Sequence, residues 1–251
     1  MIPEASSPRR GRSMFGGGDC LVTGRGSNLQ LVLFDLDGTL VDSRATMFAA
    51  FETAYRAVGG VGRAPCEGLL AMQGQPLATI LESLSLPPEM QPVFVTESRE
   101  QIHRSRLYEG VREMLAGFRA LGLNMAVATG KQAARARFVL DHFALTEYFD
   151  LVVGSDDVAN GKPAPDMLYS AMERIGVGAE SALMIGDALA DLEAAANAGI
   201  PFILAGWGYC EKPLPAAETA ATAAEASALV LARLGVSPSL AFATARAAYG
   251  G

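Results

Sequence analysis

Residues 31–43 constrain the fold of this chain more than any other segment. The apolar run Leu31–Phe34 has the length and composition of a fully buried strand, and the turn-forming Gly38 follows closely. Two carboxylates, Asp35 and Asp37, stand at the end of this strand, where open α/β sheets bind their ligands. Because side chains alternate along extended backbone, both acids face one crevice while the residue between them turns away. This segment therefore predicts an α/β sheet with an acidic site at its edge.

A calcium-binding turn is the alternative interpretation of the two acids and the glycine. An EF-hand loop needs further oxygen ligands and a closing glutamate within about twelve residues. Residues 39–47 contain no glutamate, so that loop is absent. This segment alone is also compatible with a structural turn, and the rest of the chain is needed to decide between a structural turn and a catalytic site.

Size and charge restrict the class of partner. Half of the 251 residues are hydrophobic, which is enough for a substantial core, and the formal net charge is -7. That charge argues against a nucleic-acid-binding surface, although a local phosphate site is compatible with it. The cysteines at 20, 66 and 210 are widely spaced, which indicates neither a disulfide framework nor a zinc site and favours a cytoplasmic location. No apolar stretch reaches about 18 residues, so we expect no membrane span.

Strand and helix signals alternate beyond residue 108 with short connections, as in a parallel sheet covered by helices on both faces. Strands are predicted at 123–128, 149–153, 182–185 and 200–204, and helices around 114–121, 139–143, 167–175 and 188–198, with a terminal helix at 216–234. Together with the first strand, this predicts a five-stranded Rossmann-like parallel sheet.

The segment 43–108 shows helical spacing of its apolar residues and no convincing strand. An insertion that leaves the sheet directly after the acidic strand is well placed to cover the crevice as a lid. We therefore predict a core domain formed by residues 29–42 and 109–235 and a helical cap formed by residues 43–108. Residues 1–28 are predicted to be a flexible leader and residues 236–251 a loose tail.

Three further strand ends carry residues suited to phosphate chemistry. Thr129 and Gly130 offer a hydroxyl and a backbone N–H beside a helix N-terminus, which suits an anionic oxygen. Lys162 lies on a proline-stiffened loop ahead of a helix, and Asp187 and Asp191 fall at a strand end and one turn into the next helix. Taken singly, a lysine at a helix start is normally a solvated side chain, and acids in a first helical turn often only favour the helix dipole. Their convergence at the carboxyl ends of successive strands favours a catalytic site.

Together these elements resemble the four signature motifs of the haloacid dehalogenase superfamily over about residues 30–205. In order they are a DxDGT element that begins at Asp35, then Thr129, then Lys162, and a GDxxxD element around Asp187. The insertion resembles that superfamily's helical cap of the first class.

The resemblance implies a phosphatase that works through an aspartyl-phosphate. Asp35 would be the nucleophile, and Asp37 would be the general acid and base. Thr129, the Gly130 amide and Lys162 would neutralise the transferring oxygens. The implied cofactor is Mg²⁺, held by Asp35, the Asp37 carbonyl and Asp187 with Asp191 in support.

The closest overall similarity is to phosphoglycolate-phosphatase-like enzymes, and the implied partner is a small phosphorylated metabolite bound by a monomer or homodimer. Dehalogenases lack the acid at Asp37, and phosphonoacetaldehyde hydrolases need a lysine in the cap, where this chain has none. A β-phosphoglucomutase-like mutase, a phosphatase of the 3-amino-5-hydroxybenzoate type and a catalytically silent binding relative stay open. Residues 72–75 are our candidate for a specificity loop.

Overall fold

The computed structural model describes residues 28–210, 214 and 218–236. The predicted leader and tail lie outside these residues except for positions 28 and 236. Within the described part of the chain, no helix is both long enough and apolar enough to cross a membrane.

The described elements alternate as the sequence indicates. The strands are β1 (Leu31–Phe34), β2 (Val41–Asp42), β3 (Arg106–Leu107), β4 (Asn124–Ala128), β5 (Leu151–Val153), β6 (Ala182–Gly186), β7 (Phe202–Ala205) and β8 (Glu218–Ala220). The helices are α1 (Arg44–Ala57), α2 (Cys66–Ala71), α3 (Leu77–Ser83), α4 (Met90–Glu100), α5 (Val111–Ala120), α6 (Ala133–His142), α7 (Asp166–Ile175), α8 (Leu189–Ala198) and α9 (Ala223–Leu234). Short 3₁₀ turns lie at Ile102–Arg104, Thr146–Tyr148 and Ala179–Ser181.

The central sheet places β1 at a topological switch point. Its order is β5-β4-β1-β6-β7-β8, and all its strand pairs are parallel. Leu31 pairs with Asn124 on one side and with Ala182 on the other. The chain leaves β1 and β6 toward opposite edges of the sheet, which opens a crevice beyond their carboxyl ends. The predicted α/β class with a parallel Rossmann-like sheet is confirmed.

Alternation along β1 divides the core into two layers. Val32 and Phe34 pack with α5, α6 and α9, whereas Leu31 and Leu33 pack with α7 and α8. Phe34 also meets the ring of Phe149 edge-on, with 5.9 Å between centroids. Because both faces of the strand are covered, its four residues read as an uninterrupted apolar run.

The end of the sheet differs from the prediction. A sixth strand, β8, pairs in parallel with β7, so the five-strand count was wrong, and so was the start at residue 216 of the predicted terminal helix. The alanine-rich composition favours helix by propensity, and a three-residue edge strand is too short to show period-two spacing. The helix begins at Ala223, where the Thr222 hydroxyl accepts a hydrogen bond from the Glu225 N–H at 3.2 Å.

The inserted segment is helical, as predicted, and has its own apolar cluster. Side chains from α1 to α4 pack together, including Phe51, Leu69, Leu81 and Phe94, and Tyr209 from the loop after β7 joins them. The expectation of no strand was wrong at its boundaries, because β2 and β3 form a two-stranded antiparallel ribbon where the chain enters and leaves the insertion.

Candidate active site

Lys162 brings two of the predicted elements together. Its ammonium donates to Asp35 Oδ1 at 2.7 Å, to Asp191 Oδ1 at 2.6 Å and to the Ala128 carbonyl at 3.0 Å, all in buried surroundings. Burial alone would lower the pKa of Lys162, but Asp191 and Asp35 raise it above its ordinary value. The side chain therefore stays charged and fixes the position of the Asp35 carboxylate.

Asp35, Asp187 and Asp191 form one buried carboxylate cluster. One oxygen from each lies within 4.8 Å of the others. Asp187 accepts hydrogen bonds from the Thr39 hydroxyl at 3.0 Å and from the Tyr209 N–H at 2.8 Å. Asp191 Oδ2 accepts from the N–H groups of residues 187 and 188 at 3.1 and 3.0 Å. These contacts hold the carboxylates in place before any ligand arrives.

The close approach of the Asp187 carboxylate to the backbone of residue 38 requires a glycine at that position. The φ of Gly38, +85°, lies in the left-handed region, and a Cβ there would stand 2.1 Å from Asp187 Oδ2. The glycine after the two acids of the first motif therefore both makes the turn and leaves room for the acid of the last motif.

The cluster carries more negative than positive charge. Three carboxylates surround one ammonium, that of Lys162. Burial raises the pKa of Asp35 to about 7, with Lys162 opposing and Asp191 adding to the effect. Burial and the neighbouring carboxylates of Asp35 and Asp191 raise the pKa of Asp187 well above its ordinary value. A divalent cation would offset this excess, and the donors are all hard oxygens, so the residues present fit a divalent metal ion.

The Asp37 side chain points away from this cluster. Its carboxylate accepts from the Lys131 ammonium and from the Ser43 hydroxyl. Burial alone would raise the pKa of Asp37, but Lys131, Ser43 and Arg135 lower it below its ordinary value. The two acids of the first motif therefore have different surroundings: neighbouring cations favour the ionised form of Asp37, whereas burial without a bound cation favours the neutral form of Asp35.

Thr129 and Gly130 line the same small cavity as Asp35, as predicted. The cavity has a volume of about 40 Å³. A Cβ on Gly130 would stand 2.6 Å from the carbonyl oxygens of Gly74 and Gln75, so the inserted helices approach the core closely at this glycine. Within the predicted specificity loop, residues 73–75 line the cavity, whereas Met72 packs into the apolar cluster of the inserted helices.

A second, side cavity of about 150 Å³ continues from the small one. Both are lined by Asp37, Met47, Lys131 and Arg135, so these residues stand at their junction. The side cavity lies between the inserted helices and α6. The arrangement offers a small space beside Asp35 and a larger space for the remainder of a ligand.

Sequence reasoning missed four residues at this site. Lys131 and Ser43 contact Asp37, the Tyr209 hydroxyl accepts a hydrogen bond from the Ser43 N–H at 2.7 Å, and Arg135 lines both cavities. The sequence position of Lys131, directly after Thr129 and Gly130, could have revealed it. Ser43 could have been found in the same way, because it lies only six positions after Asp37. No such signal marks Tyr209 and Arg135, because their positions depend on contacts distant in sequence.

Three arginines at the ends of the insertion, Arg44, Arg104 and Arg106, lie outside both cavities. Arg106 pairs with Asp42 across the β2–β3 ribbon at 3.4 Å, and Arg44 stacks over the Tyr209 ring at 4.9 Å. Arg104 is exposed. Arg106 and Arg44 support the boundary of the insertion.

Residues 32–205 match the haloacid dehalogenase-like hydrolase family. A probable phosphatase, IndB, of Dickeya dadantii is 39% identical over 202 residues, which cover 75% of this chain and 86% of that protein. A phosphoglycolate phosphatase of Rhodobacter capsulatus is 34% identical over 209 residues, covering 79% and 94%. The crystal structure of a predicted phosphatase from Clostridium acetobutylicum is 26% identical and superposes with a TM-score of 0.70 over 81% of this chain and 99% of that one.

Proposed function

This chain belongs to the haloacid dehalogenase-like hydrolase family and is a phosphatase, and on that premise we propose that it hydrolyses a small phosphomonoester through an aspartyl-phosphate. One observation carries the proposal: Asp35, Thr129, Lys162 and Asp187 meet at the carboxyl ends of three adjacent strands and the loop beyond a fourth. This edge of an open α/β sheet is where ligands bind.

The first step transfers the phosphoryl group to the protein. A carboxylate oxygen of Asp35 forms a bond to phosphorus while the bond from phosphorus to the ester oxygen breaks. Asp37, at the junction of the two cavities, gives a proton to the departing oxygen. Thr129, the Gly130 amide and Lys162 stabilise the charge on the phosphoryl oxygens.

The second step returns the enzyme to its starting state. Asp37 takes a proton from a water molecule, whose oxygen bonds to phosphorus while the bond to Asp35 breaks. Inorganic phosphate and a protonated Asp37 result, ready to protonate the next leaving group. Asp37 thus serves as acid and then as base within one turnover.

We propose Mg²⁺ as the divalent cation at the carboxylate cluster. Asp35, Asp187 and the Asp37 backbone carbonyl would hold it, with Asp191 in support through its contacts to Lys162 and to the N–H groups of residues 187 and 188. When bound, it would supply the positive charge that lets a carboxylate approach a phosphate dianion. Lys162 performs part of this neutralisation through its own charge.

The substrate is proposed to be a phosphorylated sugar, phosphoglycolate or a biosynthetic intermediate. Residues 43–108 act as a cap on the core formed by 29–42 and 109–235, since loop 73–75 roofs the cavity that holds Asp35. Cavities of about 40 and 150 Å³ admit a phosphoryl group and a leaving group of about benzene size. A nucleic acid or a folded phosphoprotein would be obstructed by this roof.

The test is release of inorganic phosphate from a panel of small phosphomonoesters, with Mg²⁺ and after chelation with EDTA. We expect Mg²⁺-dependent release, and none from the Asp35→Asn variant, whose side chain keeps the shape of Asp35 but removes the nucleophile. Mass spectrometry of the variant excludes deamidation as a source of residual activity.

Two outcomes would redirect the proposal. A bisphosphate with an isomerised sugar phosphate, in place of inorganic phosphate, would assign a β-phosphoglucomutase-like reaction. No turnover of any substrate by a folded, Mg²⁺-loaded wild type would favour a catalytically silent relative. Full activity in EDTA would refute the metal assignment.

A further inference from the structure

Arg135 is an unused cation at the junction of the two cavities. Among residues 28–210, 214 and 218–236, none accepts a hydrogen bond from its guanidinium, and all its unpaired nitrogens remain accessible. The face of the guanidinium stacks on the Phe94 ring at 5.5 Å. Stacking occupies the face of the planar group and leaves the donors on its edge available. A partly buried cation without an acceptor predicts an anionic ligand.

The charges around the side cavity favour the same ligand chemistry. Among the described residues that line it, Asp37 is the one acid, against three cations: Lys131, Arg135 and the exposed Arg99. Lys131 is already engaged by Asp37, and Arg99 is solvent-exposed and does not line the small cavity that holds Asp35. Arg135 is therefore the cation whose donors are available next to the reacting end of a substrate.

The larger groove on the other side of loop 73–75 has the opposite character. It has a volume of about 450 Å³ and is lined by Glu67, Asp187 and Glu193, and none of the described residues that line it is a lysine or arginine. An anionic group would be repelled there and attracted toward Arg135. The charge distribution therefore favours the side cavity over the larger groove as the place for an acidic leaving group.

We propose that Arg135 binds a second acidic group, a carboxylate or a second phosphate, on the part of the substrate that leaves. This inference rests on the proposed phosphatase reaction and assigns a specificity residue to it. Arg135 and Asp37 line the same two cavities and interact electrostatically, and the proposed reaction places Asp37 beside the leaving oxygen. The acidic group would therefore lie a few bonds from the scissile ester, where the planar guanidinium offers it two parallel donors.

The test compares three phosphomonoesters with two-carbon leaving groups. Ethyl phosphate has no second charge, 2-phosphoglycolate has a carboxylate, and ethane-1,2-diol bisphosphate has a second phosphate. The readout is the ratio of kcat/KM for each charged substrate to that for ethyl phosphate, since a general loss of activity cancels in it. The variant is Arg135→Met, and the control is Arg137→Met, which removes an exposed arginine from the same helix.

We expect the wild type to prefer at least one charged substrate, and Arg135→Met to lower that ratio about 10- to 100-fold, the range for hydrogen bonds to a charged group. Arg135→Lys should restore part of the preference and Arg137→Met should leave it intact. The substrate whose ratio falls identifies carboxylate or phosphate as the group recognised.

A ratio unchanged within twofold in Arg135→Met would overturn the inference. A wild type that hydrolyses all three esters with equal efficiency would overturn it as well, and that measurement needs no folded variant. Either result leaves the proposed function standing, because phosphate is still released. Failure of wild type to release phosphate from any ester of the wider panel would instead refute the function on which the inference rests.

Discussion

Replacement of Lys162 by methionine removes the one ammonium that lies within the buried carboxylate cluster among the described residues. Methionine has a similar length and packs well, so the main change is the loss of charge and of three hydrogen bonds at 2.6 to 3.0 Å. Removing one partner of a buried ion pair costs about 3–5 kcal/mol, because the remaining charge is left uncompensated. Against a typical free energy of unfolding of about 5–15 kcal/mol, this is a large fraction.

The pH dependence of that loss follows from the remaining carboxylates. Because its pKa is raised, Lys162 is charged throughout the range from about pH 5 to 8, so its own protonation state does not change there. Without the Lys162 charge, the pKa of Asp35 in the folded state rises further above its unfolded value. Keeping Asp35 ionised in the folded protein therefore costs more in the variant, so the variant should be most destabilised at pH 8 and least at pH 5.

The assay is urea unfolding in EDTA of the wild type, Lys162→Met, Asp191→Asn and the double variant at both pH values. Removing the Asp191 charge should recover part of the loss, with a coupling energy of about 1–3 kcal/mol. A loss below about 1 kcal/mol, or additive effects of the two changes, would refute the charge-compensation argument. An equal loss at pH 5 and pH 8 would contradict it too.

Two further predictions concern the acids of the first motif. Asp37→Ala should slow the hydrolysis of alkyl phosphates by about 10²–10⁴-fold and that of aryl phosphates with good leaving groups much less, because only poor leaving groups need the proton. Equal losses for both kinds of substrate, measured by steady-state kinetics, would exclude Asp37 as the acid. Burial raises the pKa of Asp35 from 3.8 to about 7, so the folded protein holds a proton that the unfolded chain has lost. Stability of the chelated protein should therefore fall as the pH rises through that window, and Mg²⁺ should reduce the fall, as followed by urea unfolding; a flat profile in EDTA would argue against a buried, crowded Asp35.

The elements predicted best from sequence were those with strong local patterns. β1 was placed at its observed residues, because its burial on both faces gives a continuous apolar run that ends in Asp35. Lys162 and Asp187 were identified through their places at the ends of loops and strands, although their contacts with Asp35 and Asp191 became visible only in the fold. The roles given to these residues, the domain boundaries, the oligomeric state and the cytoplasmic location stay predictions.

The features that sequence reasoning missed depend on partners far away in the chain. β2 and β3 are two residues each, too short to show a period, and exist because they pair across the insertion. The spacing of Arg135 from Lys131 is ordinary for the start of a helix, and its meaning comes from Phe94 and from the cavities around it. No local pattern encodes such a neighbourhood.

Tyr209 limits how freely the inserted helices could be exchanged between related proteins. It lies between β7 and β8 of the core in sequence, yet its ring belongs to the apolar cluster of the insertion and its hydroxyl accepts a hydrogen bond from the Ser43 N–H. A chimera that transplanted residues 43–108 alone would leave this tyrosine behind and open a gap in the apolar cluster of the transplanted helices. The transferable unit is discontinuous, and a designer would need to move the loop after β7 together with the helices.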